Sequence, residues 1–190
     1  EWLLSFNLDK CKIMSIGHSI DTVYTMSDGK KEVVLRKTEV EKDLGVYTSS
    51  NLKSSVQCKE SVRKAQAVLG LIRRNFKRID KEDFKTLYSS YIRPHLEYAI
   101  QAWSPSLNKD IQSLERVQHR ATKMVKGLSK VPYEERLKIL GISTLEQRRL
   151  RGDLIEAYKI LTGKERIDPE IFFTRAATTG RLRGHHLKLF

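Results

Sequence analysis

At residue 54 the spacing of apolar side chains changes, and this change divides the chain into two kinds of structure. Beyond it Val62, Ala65, Leu69, Ile72 and Phe76 recur at gaps of three, four, three and four, the interval that returns a side chain to one face of an α-helix. Before it apolar residues sit in short runs broken by turn residues, the pattern of strands. Lys10-Cys11-Lys12-Ile13-Met14-Ser15-Ile16 follows a Phe6-Asn7 turn and runs to Gly17. Segments 22–26 and 32–35 flank Ser27-Asp28-Gly29-Lys30, where Asp-Gly between β-branched runs signals a hairpin. Asp43-Leu44-Gly45-Val46-Tyr47-Thr48 reads as a fourth strand, with Gly45 marking a bulge or a close approach of another backbone. The expected class is α+β: a small antiparallel β part, then a helical bundle.

The helical pattern continues to about residue 163. Asp80 is a plausible N-cap for a second helix with Phe84, Leu87, Tyr88, Tyr91 and Ile92 on its apolar side. Pro94 should kink or restart it, since proline lacks the N–H that a helix interior uses. Leu96, Ala99, Ile100 and Trp103 extend the pattern to Ser104-Pro105-Ser106. A third helix is expected from a cap at Asn108 through Ile111, Leu114, Val117, Ala121, Met124, Val125 and Leu128, stopping near Gly127. A fourth covers Tyr133–Leu140 and ends at Gly141. Ser143-Thr144-Leu145-Glu146 has the form of a capping box and opens a fifth, with Leu150, Leu154, Ala157 and Leu161 as its buried stripe and Gly163 beyond its end. Arg148, Arg149 and Arg151 cluster near its start. From Phe172 onward periodicity fades into a tail with Arg175, Arg181, Arg183 and Lys188 and no acid.

Charge follows the same boundary. The chain carries 36 Lys and Arg against 23 Asp and Glu. Residues 1–53 are balanced at 8 and 8, residues 54–128 hold 15 basic against 7 acidic, and residues 129–190 hold 13 against 8. All the excess lies in the rear, which points to a polyanionic partner there. The first helix and its end concentrate it: Lys59, Arg63, Lys64, Arg73, Arg74, Lys77 and Arg78 stand with Glu60 as the one acid. A solvated face could carry such a run, but seven like charges repel, and phosphates relieve that repulsion. Such contacts position a nucleic acid without reading its sequence.

Other chemistry is thin. A polymerase centre needs two neighbouring carboxylates for its metal pair, and the sequence has neither Asp-Asp nor Asp-x-Asp. Asp9, Asp21, Asp28 and Asp43 sit where turns or caps use aspartate. His18, His95, His119, His185 and His186 have no metal-ligand spacing with Cys11, Cys58 or the acids, and the two cysteines suggest a reduced, intracellular chain. Nucleophile-elbow, phosphate-loop and dinucleotide motifs are absent. No apolar run reaches the ~20 residues of a membrane span, and no secretory leader is expected. A start at Glu1 without Met is expected of a piece of a larger protein. Tyr88, Tyr91, Tyr98 and Trp103 could stack bases, though their helical spacing suits core packing better.

Four strings, in this order, resemble the reverse transcriptases of non-LTR retrotransposons, the jockey-like branch in particular. They are Trp2 to Met14 (Trp-Leu-Leu-Ser-Phe-Asn-Leu-Asp-Lys-Cys-Lys-Ile-Met), Glu41-Lys42-Asp43-Leu44-Gly45-Val46, Ser90-Tyr91-Ile92-Arg93-Pro94-His95-Leu96-Glu97-Tyr98-Ala99, and Arg183-Gly184-His185. The resemblance implies that residues 1–53 are the end of a polymerase palm, 54–163 a helical thumb and 164–190 a truncated basic tail. Asn7 and Lys10 would border the nucleotide site, with Lys10 assisting pyrophosphate departure as a cation near the leaving group. Leu44, Gly45 and Val46 would form a primer-grip-like hairpin. The thumb would lie along an RNA–DNA hybrid of RNA template and DNA primer, with Lys59, Arg63, Lys64, Arg73, Arg74, Lys77 and Arg78 on phosphates. The catalytic carboxylates would belong to upstream palm and fingers of the same polyprotein, with Mg2+ expected for that whole polymerase and no cofactor in this chain. Expected surroundings are intracellular and nuclear, with no membrane. Two alternatives stand beside this reading: a stand-alone helical nucleic-acid-binding module, and an inactive element-derived fragment.

Overall fold

Short β-branched runs separated by turns can pair only with near neighbours, and they do so here. The computed structural model describes residues 6–17, 22–27, 29, 31–176, 187 and 189. The first four residues of the Trp2 string, Asp21, Asp28, His18, His185, His186 and the tail residues Arg181, Arg183, Gly184 and Lys188 lie outside them. Strands β2 (Thr25–Ser27) and β3 (Glu32–Val34) form the expected antiparallel hairpin, with Met26 opposite Val33. Strands β5 (Val40–Asp43) and β6 (Val46–Ser49) form a second. Segment 43–48 is therefore a hairpin tip, not one strand, because positive φ at Leu44 and Gly45 reverses the chain there. One pair departs from the antiparallel expectation: β1 (Lys12–Ile13) runs parallel to β4 (Arg36–Lys37). A parallel pair needs a long crossover, and the intervening β2–β3 hairpin supplies it.

The chain is thus of mixed α and β type, short strand pairs followed by helices, and it forms two compact units, residues 1–142 and residues 143–190. In the first unit α1 (Ser55–Asn75) packs against β6 and against α5 (Asn108–Thr122). Its buried side is Cys58, Ser61, Ala65, Leu69 and Ile72. Phe76, expected at the end of that stripe, instead caps the helix in extended conformation and stays 46% exposed. On α5, Leu114, Val117 and Ala121 are fully buried, and each such leucine or valine contributes about 1.5–3 kcal/mol. Asn108 is the first helical residue, not the cap. The start is instead tied to α1 by Asp110, whose Oδ2 accepts from Ser55 Oγ at 2.6 Å, an acid in the first turn where the helix dipole favours one. α5 ends at Thr122, short of Gly127, because Val125 leaves the helix to bridge Ile79, and Lys126 N–H donates to the Ile79 carbonyl at 3.0 Å.

Between α1 and α5 runs one long bent helix. Asp80 caps α2 (Lys81–Leu87), its carboxylate accepting from Asp83 N–H at 2.8 Å. A π turn follows over Tyr88–Ile92, and α3 (Arg93–Glu97) continues from it. Pro94 accounts for the π turn, since its missing N–H leaves a break that widening the previous turn absorbs, with Arg93 N–H reaching the Tyr88 carbonyl. Ala99, left-handed at φ 49°, then turns the chain into α4 (Ile100–Trp103), and the Trp103 indole donates back to the Tyr98 carbonyl at 2.8 Å. Tyr88 and Trp103 are core residues, 2% and 5% exposed, whereas Tyr91 and Tyr98 are more than half exposed. Helix α6 (Tyr133–Leu140) ends at left-handed Gly141 as expected. It is held to α5 by polar bonds. Gln118 accepts the Tyr88 hydroxyl and donates to Tyr133 Oη at 2.9 Å, and Arg136 donates to the His119 carbonyl and Thr122 Oγ1, both at 2.9 Å.

In the second unit α7 (Leu145–Leu161) is capped by Thr144 with Gln147, one residue later than the Ser143 and Glu146 expected. Thr144 Oγ1 accepts from Gln147 N–H at 3.1 Å and the glutamine reaches back at 3.3 Å. The expected buried stripe is not buried: Leu150 and Leu154 are 61% and 62% exposed. Gly163, at φ 70°, follows the helix end. No helix among the described residues is long and apolar enough to cross a membrane.

Candidate nucleic-acid interface

α1 has 21 residues, which gives it a length of about 32 Å. Gaps of four, three, four and three place Lys59, Arg63, Gln66, Gly70 and Arg73 on one line of it, with Arg74 beside. Burying Ala65 and Leu69 against α5 turns this line outward, and Lys59, Arg63, Arg73 and Arg74 are all exposed. From Lys59 to Arg74 the line covers about 22 Å. Arg63 holds Glu60 at 2.9 Å, and that contact keeps the glutamate below its ordinary pKa. Among the described residues, Lys59, Lys64, Arg73, Arg74, Lys77 and Arg78 make no ion pair. Lys64 points away from the line and is half-buried, and Lys77 and Arg78 lie past the helix end, in the connection to Asp80.

Where α1 and α5 end together, an open groove of about 770 Å³ forms. Its floor is Leu69, Ile79 and Met124, Phe76 stands on it, and Arg73, Lys77, Arg120 and Lys123 line it without any acid. Part of this charge is structural, for Arg73 and Arg120 occupy the last turns of their helices. A helix C-terminus presents only about half a negative charge, however, so two ends leave most of four cations unbalanced. Of the cations expected from the sequence, the groove lining contains Arg73 and Lys77 and none of Lys59, Arg63, Lys64, Arg74 or Arg78. Its other two cations, Arg120 and Lys123, lie outside the charge run of α1. Their signal was present, since Arg116, Arg120 and Lys123 recur at gaps of four and three opposite Leu114, Val117 and Ala121.

The second feature is the hairpin tip. Leu44 at φ 45° and Gly45 at φ 88° make a two-residue turn with both central residues left-handed, and Leu44 projects 85% exposed. Tyr98 closes over it: its hydroxyl donates to the Leu44 carbonyl at 2.9 Å, and a Cβ on Gly45 would stand 3.2 Å from the ring. Behind the tip, Tyr47 N–H donates to Gln57 of α1 at 2.9 Å. Lys12 pairs with Glu41 at 2.7 Å, which lowers the glutamate's pKa, chiefly through that hydrogen bond. Residues 29 and 54 positions apart thus meet around one hairpin. Asn7 spends its side chain capping the turn Leu8–Lys10, accepting from Asp9 N–H at 3.2 Å, and Lys10 lies exposed in that turn.

Among the described residues no three of His, Cys, Asp and Glu come together as a metal cage. A scan against models of known protein families finds no match, and neither the curated proteins nor the solved structures give one.

Proposed function

We propose that this chain is the palm end and thumb of an RNA-directed DNA polymerase of the non-LTR retrotransposon kind, a part that grips template and primer and leaves the chemistry to carboxylates outside it. The observation that carries the reading is the meeting of three of the four resembling strings. Lys12 of the first pairs with Glu41 of the second, and Tyr98 of the third bonds the Leu44 carbonyl of the second.

The exposed cations of α1, Arg63 beside Glu60 and the unpaired Lys59, Arg73 and Arg74, support the gripping role. Duplex phosphates are spaced along a line, and a rigid rod with Lys59, Arg63, Arg73 and Arg74 on one side can follow them over about 22 Å. In this reading RNA–DNA hybrid is the partner, Leu44 to Val46 touch the primer strand, and the setting is nuclear. Binding to a blunt RNA–DNA hybrid tests it. Replacing Arg73, Arg74, Lys77 and Arg78 together by Gln should weaken binding at least ten-fold and leave the circular dichroism spectrum unchanged. Undiminished binding by that variant would overturn the assignment.

A further inference from the structure

Resting on that reading, we infer that the groove where α1 and α5 end seats an unpaired nucleotide, so that the chain engages the single-stranded extension of a hybrid as well as its duplex. The groove combines two chemistries that a duplex backbone would not use together. Its cations, Arg73, Lys77, Arg120 and Lys123, suit phosphates, and its floor is apolar with Phe76, an exposed residue, in its lining. A duplex keeps its base faces stacked inside and offers such a floor nothing. An unstacked base offers a flat face to an aromatic ring, and its flanking phosphates reach Arg120 and Lys123, the two groove cations that the duplex grip does not use.

Size agrees. The groove's volume of about 770 Å³ falls within the roughly 300–1,000 Å³ of sites that seat small organic groups. Its position agrees too, since it lies at the Arg73 end of the cationic line on α1, where a strand leaving the duplex would arrive. Phe76 is free to serve because its backbone has left the helix in extended conformation, φ −112° and ψ 109°, which carries the ring out of the buried stripe.

The test compares a blunt RNA–DNA hybrid with the same hybrid bearing a short single-stranded RNA extension that carries 2-aminopurine, using the full chain and the variants Phe76→Leu, Phe76→Tyr and Arg120→Gln with Lys123→Gln. The expected result is roughly ten-fold tighter binding of the extended hybrid, with a fluorescence change of the aminopurine on stacking. Phe76→Leu should lose that gain while binding blunt hybrid like wild type, Phe76→Tyr should keep it, and the double Gln variant should lower the salt slope of the gain by roughly 1.4. Equal affinity for both hybrids, or a gain that Phe76→Leu retains, overturns the inference and leaves the duplex grip standing. A gain without any aminopurine response reduces the groove to a charge contact and overturns it as well. Failure to bind either hybrid refutes the polymerase reading itself.

Discussion

Replacing Gly45 by Ala probes the hairpin on which the functional reading depends. The residue has φ 88°, a conformation that costs an L-residue about 1–2 kcal/mol. A new Cβ would also stand 3.2 Å from Cε1 of Tyr98 and 3.6 Å from its oxygen, so the ring must move by a few tenths of an ångström. Tyr98 is 57% exposed and can move, but moving strains the 2.9 Å bond to the Leu44 carbonyl, which is worth about 0.5–1.5 kcal/mol. The sum is a loss of about 1.5–3.5 kcal/mol. Urea unfolding followed by circular dichroism and tryptophan fluorescence measures it, and with a slope near 2 kcal/mol/M the midpoint should fall by about 1 M. In a Tyr98→Ala background the steric part vanishes, so Gly45→Ala should cost only the backbone strain and the cycle should show coupling of about 1 kcal/mol. A cost below about 0.5 kcal/mol, or the same cost in both backgrounds, would refute the claim that Tyr98 and Gly45 are fitted to each other.

Two further outcomes test the helical part. Gln118→Leu leaves the buried Tyr88 hydroxyl without its acceptor and should cost about 1–3 kcal/mol, whereas pairing it with Tyr88→Phe should recover part of the loss, because removing both of these polar partners is cheaper than orphaning one, while the bond that Gln118 donates to Tyr133 Oη stays lost; thermal unfolding of the three variants decides. His119 has its pKa pushed below the ordinary 6.5, first by burial and then by the charges of Arg136 and Lys123. The unfolded chain therefore takes up the proton first as pH falls, so this group's stability contribution is complete above about 6.5 and declines below it. Urea midpoints at pH 7.5 and 5.5 should differ in that direction, and His119→Gln should shrink the difference.

Helix positions were legible in the sequence because burial against a neighbour imposes its period on the residues. α1, α2 with its Asp80 cap, and α6 with Gly141 lie where the spacing placed them. Boundaries were less legible wherever a tertiary contact decides them. α5 stops early for the bridge between Val125 and Ile79, which no local pattern encodes. Thr144 takes the cap in place of Ser143, since Gln147 serves in a capping box as well as glutamate does. The parallel pairing of β1 with β4 is a long-range fact that alternation in two-residue strands cannot carry. Of the site, the cationic line of α1 was visible as a charge run. The groove was not, because it exists only where the ends of two helices meet, and its Arg120 and Lys123 come from the second of them. The stripe of α7 was legible as an apolar face, yet Leu150 and Leu154 are exposed, so periodicity alone overstated its burial.

The most direct test of the central claim, that exposed cations of α1 and its end clasp a sugar-phosphate backbone, is the affinity for blunt RNA–DNA hybrid over a range of salt concentrations. If Lys59, Arg63, Arg73, Arg74, Lys77 and Arg78 each meet a phosphate, log K against log salt should fall with a slope of about −5, and the variant with Gln at the last four should fall with about −2. A flat dependence, or a slope that those four substitutions leave unchanged, would contradict it.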